Sequence, residues 1–224
     1  MKKYEWYLFD LDNTLLDFNM SSAKAFNDLM QHFSLGNIDE LHEIYHDINL
    51  SYWKKYEQGV INVETLSIGR FQDFLEEIKH EADAKQMSEK YLDFLTSNSH
   101  IIEGSLKILN HFKTSAKLSL ITNGISDVQH RRIAKHDFYD FFEYIFISDE
   151  MGHSKPSQSF FEIVHNKIGS PNKNDVLVLG DNPISDIQGG KSFGYDTLYY
   201  NYKNEDTKHI DADYKINKWH ELNV

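Results

Sequence analysis

The chain of 224 residues contains no cysteine. Disulfide bonds, a thiol nucleophile and thiolate metal ligands are therefore excluded, and a reducing compartment fits, so we expect a cytoplasmic location. Basic residues are also scarce, because 23 Lys and Arg stand against 35 Asp and Glu and give a formal net charge of −12. Such a surface repels phosphate backbones and anionic lipids, so we expect neither a nucleic-acid polymer nor a membrane as a partner.

Long apolar runs are missing as well. The first run, residues 6–9, is followed at once by Asp10 and Asp12. No later run approaches the roughly 20 apolar residues of a membrane span, so we expect no signal peptide and no transmembrane segment. The chain is nevertheless 40% hydrophobic and 14% aromatic, which is enough for a packed core. Its length allows one large domain, or a core with a smaller insert.

Five short apolar runs predict the strands of a parallel sheet: 6–9, 118–121, 144–147, 176–179 and 197–200. Runs without alternating polar residues are typical of strands that are covered on both faces. From the second run onward the spacing of roughly 20 to 30 residues leaves room for one helix between strands. Helical patterns occur over 105–112, 128–135, 160–168 and 184–188. The sequence therefore predicts an α/β fold with a doubly wound parallel sheet.

The gap between the first two runs, residues 10–117, is far longer than the about 30 residues that one crossover needs. Four stretches within it repeat apolar residues at helical spacing, and Gly36 and Gly59 mark breaks between stretches. We therefore predict an all-helical cap over residues 17–97, inserted into an α/β core formed by residues 1–16 and 98–224.

Two carboxylates, Asp10 and Asp12, directly follow the first predicted strand. They lie at the carboxyl edge of the sheet, where open α/β folds bind ligands, and alternate residues of an extended chain point the same way. Carboxylates that close repel each other unless a cation is present. Taken alone, the pair is equally compatible with a solvated acidic turn.

Further polar residues follow the other predicted strands. Thr122 and Asn123 begin a turn that either cradles an anion or simply caps the next helix. Lys155 follows the third strand, where an isolated lysine is usually a surface group. Asp181 and Asp186 follow the fourth strand and bring two more carboxylates to the same edge. Four converging acids favour a divalent cation with oxygen ligands, and we expect Mg²⁺.

Together these motifs resemble the haloacid dehalogenase superfamily, specifically its Mg²⁺-dependent phosphatases. The resemblance implies that Asp10 is the nucleophile and forms an aspartyl-phosphate intermediate. It implies that Asp12 protonates the leaving alkoxide and later deprotonates the attacking water. Dehalogenases of this superfamily lack the second acid, because a halide leaves without a proton. Asp12 therefore favours a phosphatase over a dehalogenase.

The resemblance also implies the binding residues. Those for the phosphoryl group are Thr122, Asn123 and Lys155. Those for Mg²⁺ are Asp10, Asp12 through its backbone carbonyl, Asp181 and Asp186, the last acting directly or through water. A non-catalytic binding module of the same fold is the less favoured alternative, because every expected catalytic group is present.

A finer resemblance is to the pyrimidine 5′-nucleotidase branch. The residues that carry it are Gln129, Arg132, Glu150, Gly152 and the pair Asp213-Tyr214. The sequence departs from that branch at Asn182-Pro183, where Ser and an aliphatic residue are more usual, and at Lys135-His136. The implied substrate is a small phosphorylated metabolite, namely a nucleoside 5′-monophosphate, with a sugar phosphate or phosphoglycolate as the alternative. Nothing in the sequence indicates the oligomeric state.

We expect selectivity to reside in the cap. Phe18 directly follows the first motif, and we predict that it lies at a hinge and faces the substrate. The aromatic side chains Tyr52, Trp53 and Tyr56 either stack on a base or pack the helical core, and packing is favoured.

One motif points to a different chemistry. The stretch from His42 to His46 reads His-Glu-Ile-Tyr-His and fits the HExxH pattern of zinc peptidases. A further ligand is required, but Asn49 and Tyr52 occupy the positions where the extended pattern has Gly and His. A zinc peptidase therefore remains only a remote alternative.

Overall fold

The computed structural model describes residues 1–222. They divide into two compact units. The first, the core unit, consists of Met1–Asp17 and the residues from His100 onward, and the second, the helical unit, is Phe18–Ser99. The sequence predicts a helical insert over residues 17–97, and the helical unit in the structure spans Phe18–Ser99.

The core unit is built on a sheet of six parallel strands in the order β3-β2-β1-β4-β5-β6. The strands are β1 (Trp6–Phe9), β2 (Lys117–Thr122), β3 (Tyr144–Ile147), β4 (Val176–Gly180), β5 (Asp196–Tyr200) and β6 (Tyr214–Ile216). The predicted doubly wound α/β fold is therefore confirmed. The strand order reverses at β1, so the loops after β1, β2 and β4 meet at one edge of the sheet.

Helices cover both faces of this sheet. Side chains alternate along β1, so Tyr7 and Phe9 belong to one apolar cluster while Trp6 and Leu8 belong to the other. The helices of the core unit are α5 (Ser105–Lys113), α6 (Ser126–Lys135), α7 (Ser148–Met151), α8 (Gln158–Lys167) and α9 (Gly189–Phe193). A π-helical turn, Pro183–Gln188, stands where a short helix was predicted.

The helical unit contains α1 (Phe18–His32), α2 (Ile38–Glu57), α3 (Val63–Glu77) and α4 (Ala84–Ser97). An aromatic cluster fills its interior, with Tyr45 stacked on Phe26 and on Phe71 at centroid distances of 5.0 and 5.1 Å. Among residues 1–222, none of the helices has the length and apolar character that crossing a bilayer requires.

Candidate active site

Three carboxylates meet at the carboxyl edge of the sheet. Asp10 directly follows β1, Asp181 directly follows β4, and Asp186 lies in the π-helical turn. One oxygen from each lies within 4.8 Å of the other two. Asp10 and Asp186 are buried and Asp181 is partly exposed. The structure thus brings together three of the residues that were predicted to hold a metal ion.

Lys155 lies against this carboxylate triad. Its ammonium donates to Asp10 Oδ1 at 2.8 Å, to Asp186 Oδ1 at 2.6 Å and to the carbonyl oxygen of Ile121 at 2.9 Å. The side chain is 1% exposed, so Lys155 is not the solvated surface group that its residue type suggests. Burial by itself would lower the pKa of Lys155, but the charges of Asp10 and Asp186 and their hydrogen bonds raise it above its usual range.

The triad carries more negative charge than Lys155 offsets. Burial raises the pKa of the Asp10 carboxyl to about 7, and the charges of Asp186 and Asp12 add to the effect against the opposing attraction of Lys155. Burial and the charges of Asp10 and Asp186 raise the pKa of Asp181 well above its usual range. Three ionised carboxylates are therefore unfavourable in this site unless an additional cation binds to them.

One atom identifies where that cation is needed. Asp10 Oδ2 is buried and has no hydrogen-bond partner within the described part of the chain. A buried carboxylate oxygen without a partner is costly, and an absent ion is a standard reason for one. Carboxylate oxygens are the ligands that Mg²⁺ prefers. The triad of Asp10, Asp181 and Asp186 therefore fits a divalent cation by its donor set.

Local sequence explains how Asp186 reaches the triad. Gly180 ends β4, and a Cβ atom placed there would lie 2.2 Å from Asp186 Oδ2, so only glycine allows this approach. The side-chain oxygen of Asn182 accepts from the backbone N–H groups of Ile184 and Ser185 at 2.9 and 3.0 Å and caps the π-helical turn. The backbone N–H of Asn182 donates to Asp186 Oδ2 at 3.1 Å.

Asp12 is held away from the triad by a different set of contacts. Its Oδ1 accepts from Arg132 Nη2 at 2.5 Å, and its Oδ2 accepts from Gln129 Nε2 at 3.1 Å. Arg132 Nη1 donates to Gln129 Oε1 at 2.8 Å, and Gln129 Nε2 also donates to Thr122 Oγ1 at 2.8 Å. We call Asp12, Gln129, Arg132 and Thr122 the Asp12 network. The metal contact predicted for the backbone carbonyl of Asp12 stays a prediction.

The predicted phosphate-binding residues lie at the same edge. Thr122 is the last residue of β2 and is buried. Asn123 follows it, and its amide pairs with the backbone of Lys155: Nδ2 donates to the Lys155 carbonyl at 2.8 Å, and the Lys155 N–H donates to Oδ1 at 2.9 Å. The Asn123 side chain therefore fixes the loop that carries Lys155. The phosphate contacts of Thr122, Asn123 and Lys155 stay predictions.

The remaining sequence candidates lie in the helical unit. Phe18 is the first residue of α1, and its predicted contact with substrate stays a prediction. The His42 ring packs against Phe26 at 5.3 Å between centroids and faces His46 at 6.3 Å. Among the described residues the carboxylate triad is the one place where three ligand-capable side chains gather, so the HExxH pair gains no third ligand there. The structure thus gives the zinc-peptidase alternative no support.

Nothing in the sequence indicates a role for Gln129 or Arg132. Both were noted as residues that accompany a nucleotidase pattern, and neither was connected with Asp12. Their spacing of three residues on α6 places them on the same face of a helix that begins just after the Thr122 turn. That spacing was the available signal, but the partner lies 120 residues earlier in the chain.

Known proteins similar to this chain identify its family. The sequence model of the haloacid dehalogenase-like hydrolases matches residues 7–200. The HAD-hydrolase YfnB of Bacillus subtilis is 30% identical over 99% of this chain and 95% of its own length. A crystal structure of YfnB bound to magnesium covers 99% of this chain and 97% of the YfnB chain with a TM-score of 0.88.

Two relatives are named for a substrate. The pyrimidine 5′-nucleotidase YjjG of Escherichia coli is 29% identical over 98% of this chain and 96% of its own length. The pyrimidine 5′-nucleotidase PynA of Streptococcus pneumoniae is 30% identical over 88% of this chain and 84% of its own length.

Proposed function

Because the chain belongs to the haloacid dehalogenase-like hydrolases, we propose that it is a Mg²⁺-dependent phosphatase that works through an aspartyl-phosphate on Asp10. The observation that carries the proposal is the buried Asp10 carboxylate. One of its oxygens is held by Lys155, and the other has no partner among the described residues. A carboxylate placed in this way is fixed in orientation and has one oxygen available to bind a cation, as a nucleophile for a phosphate dianion requires.

The residues for Mg²⁺ are Asp10, Asp181 and Asp186, with the backbone carbonyl of Asp12. Bound there, the ion would supply the positive charge that lets a phosphate dianion approach the Asp10 carboxylate. Lys155 adds the second positive charge beside Asp10 and Asp186. Local cations are needed because a protein with a net charge of −12 otherwise repels a phosphorylated substrate.

The chemistry has two steps. In the first, an oxygen of Asp10 bonds to phosphorus as the bond between phosphorus and the ester oxygen breaks, and the proton of Asp12 goes to the departing alkoxide. In the second, water attacks phosphorus and gives a proton back to Asp12, so inorganic phosphate leaves and the Asp10 carboxylate is restored. Thr122 and Lys155 hold the phosphoryl oxygens in both steps, and backbone groups near Asn123 complete the anion site.

The substrate class that we propose is a nucleoside 5′-monophosphate. The support comes from the two relatives named pyrimidine 5′-nucleotidase, which align with most of this chain. A phosphatase of another small phosphometabolite, such as a sugar phosphate or phosphoglycolate, is the alternative within the same chemistry. A dehalogenase is disfavoured, because a halide needs no proton whereas Asp12 is held by two donors at the edge of the site.

The decisive experiment measures phosphate release from a nucleoside monophosphate with Mg²⁺, with EDTA and in Asp10→Asn. We expect activity to disappear with EDTA and to fall by on the order of 10⁴-fold or more in Asp10→Asn, because the nucleophile is removed. Asp127→Asn is the matched control, since Asp127 lies on the surface of α6 and pairs with Arg131. Activity that persists in Asp10→Asn would exclude Asp10 as the nucleophile.

Two further measurements refine the result. Acid-quenched enzyme should carry one phosphoryl group on the peptide that contains Asp10, and this group should be absent from Asp10→Asn. A panel of nucleoside monophosphates, sugar phosphates and phosphoglycolate, compared by kcat/KM, then decides the substrate class. A sugar phosphate with the highest kcat/KM would overturn the nucleotide assignment but leave the phosphatase intact.

A further inference from the structure

The Asp12 network contains a buried guanidinium that the two-step chemistry does not use. The side chain of Arg132 is 1% exposed, whereas that of its partner Asp12 is 24% exposed. A charge buried to this degree is costly unless a partner offsets it, and losing one partner of such a pair leaves an uncompensated charge. Burying the Arg132 guanidinium therefore costs free energy, and a functional role would explain why it is buried here.

Arg132 contacts both of the side chains that could orient or receive charge in this network, Asp12 and Gln129. Its two terminal nitrogens split between Asp12 Oδ1 and Gln129 Oε1, at 2.5 and 2.8 Å. Because the Gln129 oxygen faces Arg132, the Gln129 amide nitrogen is turned toward Asp12 Oδ2, at 3.1 Å. The three side chains form a closed ring in which both oxygens of Asp12 are held. Neither Arg132 nor Gln129 belongs to the carboxylate triad.

We propose that Arg132 and Gln129 are positioning residues for Asp12, which fix its carboxyl group for proton transfer and offset the charge that appears when its proton leaves. The proposal rests on the proposed phosphatase function. As the ester bond breaks, the Asp12 proton moves to the departing oxygen, and a carboxylate is left beside the Arg132 guanidinium. A fixed cation at that point stabilises charge where it develops in the transition state.

This role has a chemical signature. An alkoxide such as the 5′-oxygen of a nucleoside is strongly basic and needs the proton as it leaves, whereas p-nitrophenolate is a stable anion and leaves without one. Weakening Asp12 should therefore slow the alkyl ester much more than the aryl ester. Damage to the fold, or to the Thr122 contact of Gln129, would slow both esters to the same extent, because they share the phosphoryl group.

The test compares kcat/KM for UMP and p-nitrophenyl phosphate in Arg132→Met and Gln129→Met. The value of kcat/KM reports only the steps up to and including phosphoryl transfer to Asp10. Slow hydrolysis of the aspartyl-phosphate therefore does not mask the difference. In Arg132→Met we expect the loss on UMP to exceed the loss on p-nitrophenyl phosphate by at least about 10-fold, out of the roughly 10² to 10⁴ that a positioned acid contributes. Gln129→Met should show the same preference more weakly, because Asp12 keeps its charged partner.

Arg131→Met is the matched control. Arg131 is the next residue on α6, and its Nε pairs with the exposed Asp127 at 2.9 Å. We expect this variant to hydrolyse both esters as the wild type does. Arg132→Lys retains the buried charge without the planar fork of donors, so it should restore part of the UMP activity and provides the same comparison if Arg132→Met does not fold. Guanidinium ion added to Arg132→Met should raise the rate on UMP more than the rate on p-nitrophenyl phosphate.

The outcomes separate the two proposals. If the wild type hydrolyses UMP but folded Arg132 and Gln129 variants lose both esters equally, or lose neither, the positioning role is wrong and the phosphatase stands. If the wild type hydrolyses no phosphomonoester with Mg²⁺, both proposals are wrong. A selective loss on UMP that is absent from Arg131→Met supports the positioning role.

Discussion

At the scale of single residues, Lys155 is the most constrained charge in the site. An ammonium has three N–H donors, and here they go to Asp10, Asp186 and the Ile121 carbonyl. To bind a phosphoryl oxygen, Lys155 has to release one of these acceptors. Under the proposed function, a metal ion that neutralises the carboxylates would make this exchange more favourable.

Gly180 gives the first test at this scale. A Cβ atom at this position would lie 2.2 Å from Asp186 Oδ2, so Gly180→Ala must push the carboxylate out of the triad. We expect the affinity for Mg²⁺, measured by calorimetric titration, to fall by on the order of 10-fold or more, as for loss of a supporting ligand contact. Gly36→Ala is the control, because a Cβ there meets no atom within 4 Å. Unchanged Mg²⁺ affinity in Gly180→Ala would mean that Asp186 is not needed near the ion.

At the scale of secondary-structure elements, the sequence patterns predicted the strands that are apolar at every position. The five strands that were predicted from apolar runs are all present. β6 was missed because it has three residues, of which Lys215 is exposed and only Ile216 is buried, so it lacks the pattern of a strand covered on both faces. The starts of α6 and α8 were each predicted two residues too late. α6 begins at Ser126, and its first two residues, Ser126 and Asp127, are polar and carry no apolar periodicity.

The sequence predicts the proximity of those site residues that lie at the ends of predicted strands. Asp10 and Asp181 directly follow β1 and β4, and Thr122 is the last residue of β2, so their proximity follows from the topology, in which the carboxyl ends of these strands meet at one edge. The pairing of Asp12 with Arg132 was not predictable, because no local pattern connects residues 120 positions apart. The three-way contact of Lys155 likewise depends on side-chain packing.

Asn182 gives a test at the scale of an element, because it caps the π-helical turn that carries Asp186. Serine also caps helices, so we expect Asn182→Ser to bind Mg²⁺ as the wild type does. Asn182→Ala should lower the free energy of unfolding by about 1 kcal/mol and weaken Mg²⁺ binding several-fold, because the turn loses two hydrogen bonds.

The control for this test is a cap far from the site. Asn62 caps α3 by accepting from the Thr65 N–H at 2.8 Å. Asn62→Ala should lower the stability by a similar amount, seen in urea unfolding, but leave Mg²⁺ affinity unchanged. Equal effects of Asn182→Ala and Asn62→Ala on Mg²⁺ affinity would show that the cap contributes stability alone.

At the scale of the whole molecule, we expect the triad to make stability depend on pH and, under the proposed function, on Mg²⁺. The pKa of Asp10 is raised by burial from its ordinary 3.8 to about 7, and that of Asp181 is raised in the same direction. A carboxyl with a raised folded-state pKa binds more protons in the folded state than in the unfolded state between these values. The metal-free protein therefore loses stability from these groups as the pH rises from about 4 to about 7.

Under the proposed function, magnesium should reverse this loss, because it would bind the ionised carboxylates of the triad only in the folded state. We expect Mg²⁺ to raise Tm little at about pH 5 and much more at about pH 8. Comparing Tm with and without Mg²⁺ at each pH removes the contribution of carboxylates outside the site. Glu150 is one of these: desolvation would raise its pKa, but hydrogen bonds with Ser126 and His130 lower it.

Two variants distinguish the effect of the triad on the gain in Tm from Mg²⁺ from the effect of other carboxylates in the protein. Asp10→Asn removes the group whose pKa lies near 7, so the gain in Tm from Mg²⁺ should become smaller and less dependent on pH. Asp127→Asn alters an exposed carboxylate on α6 and should follow the wild type at every pH. If Mg²⁺ raises Tm equally at both pH values in the wild type, then the ion does not compete with protons for buried carboxylates. The triad would then not be its binding site, because the buried Asp10 carboxyl, with a pKa of about 7, has to release its proton before it can bind a cation.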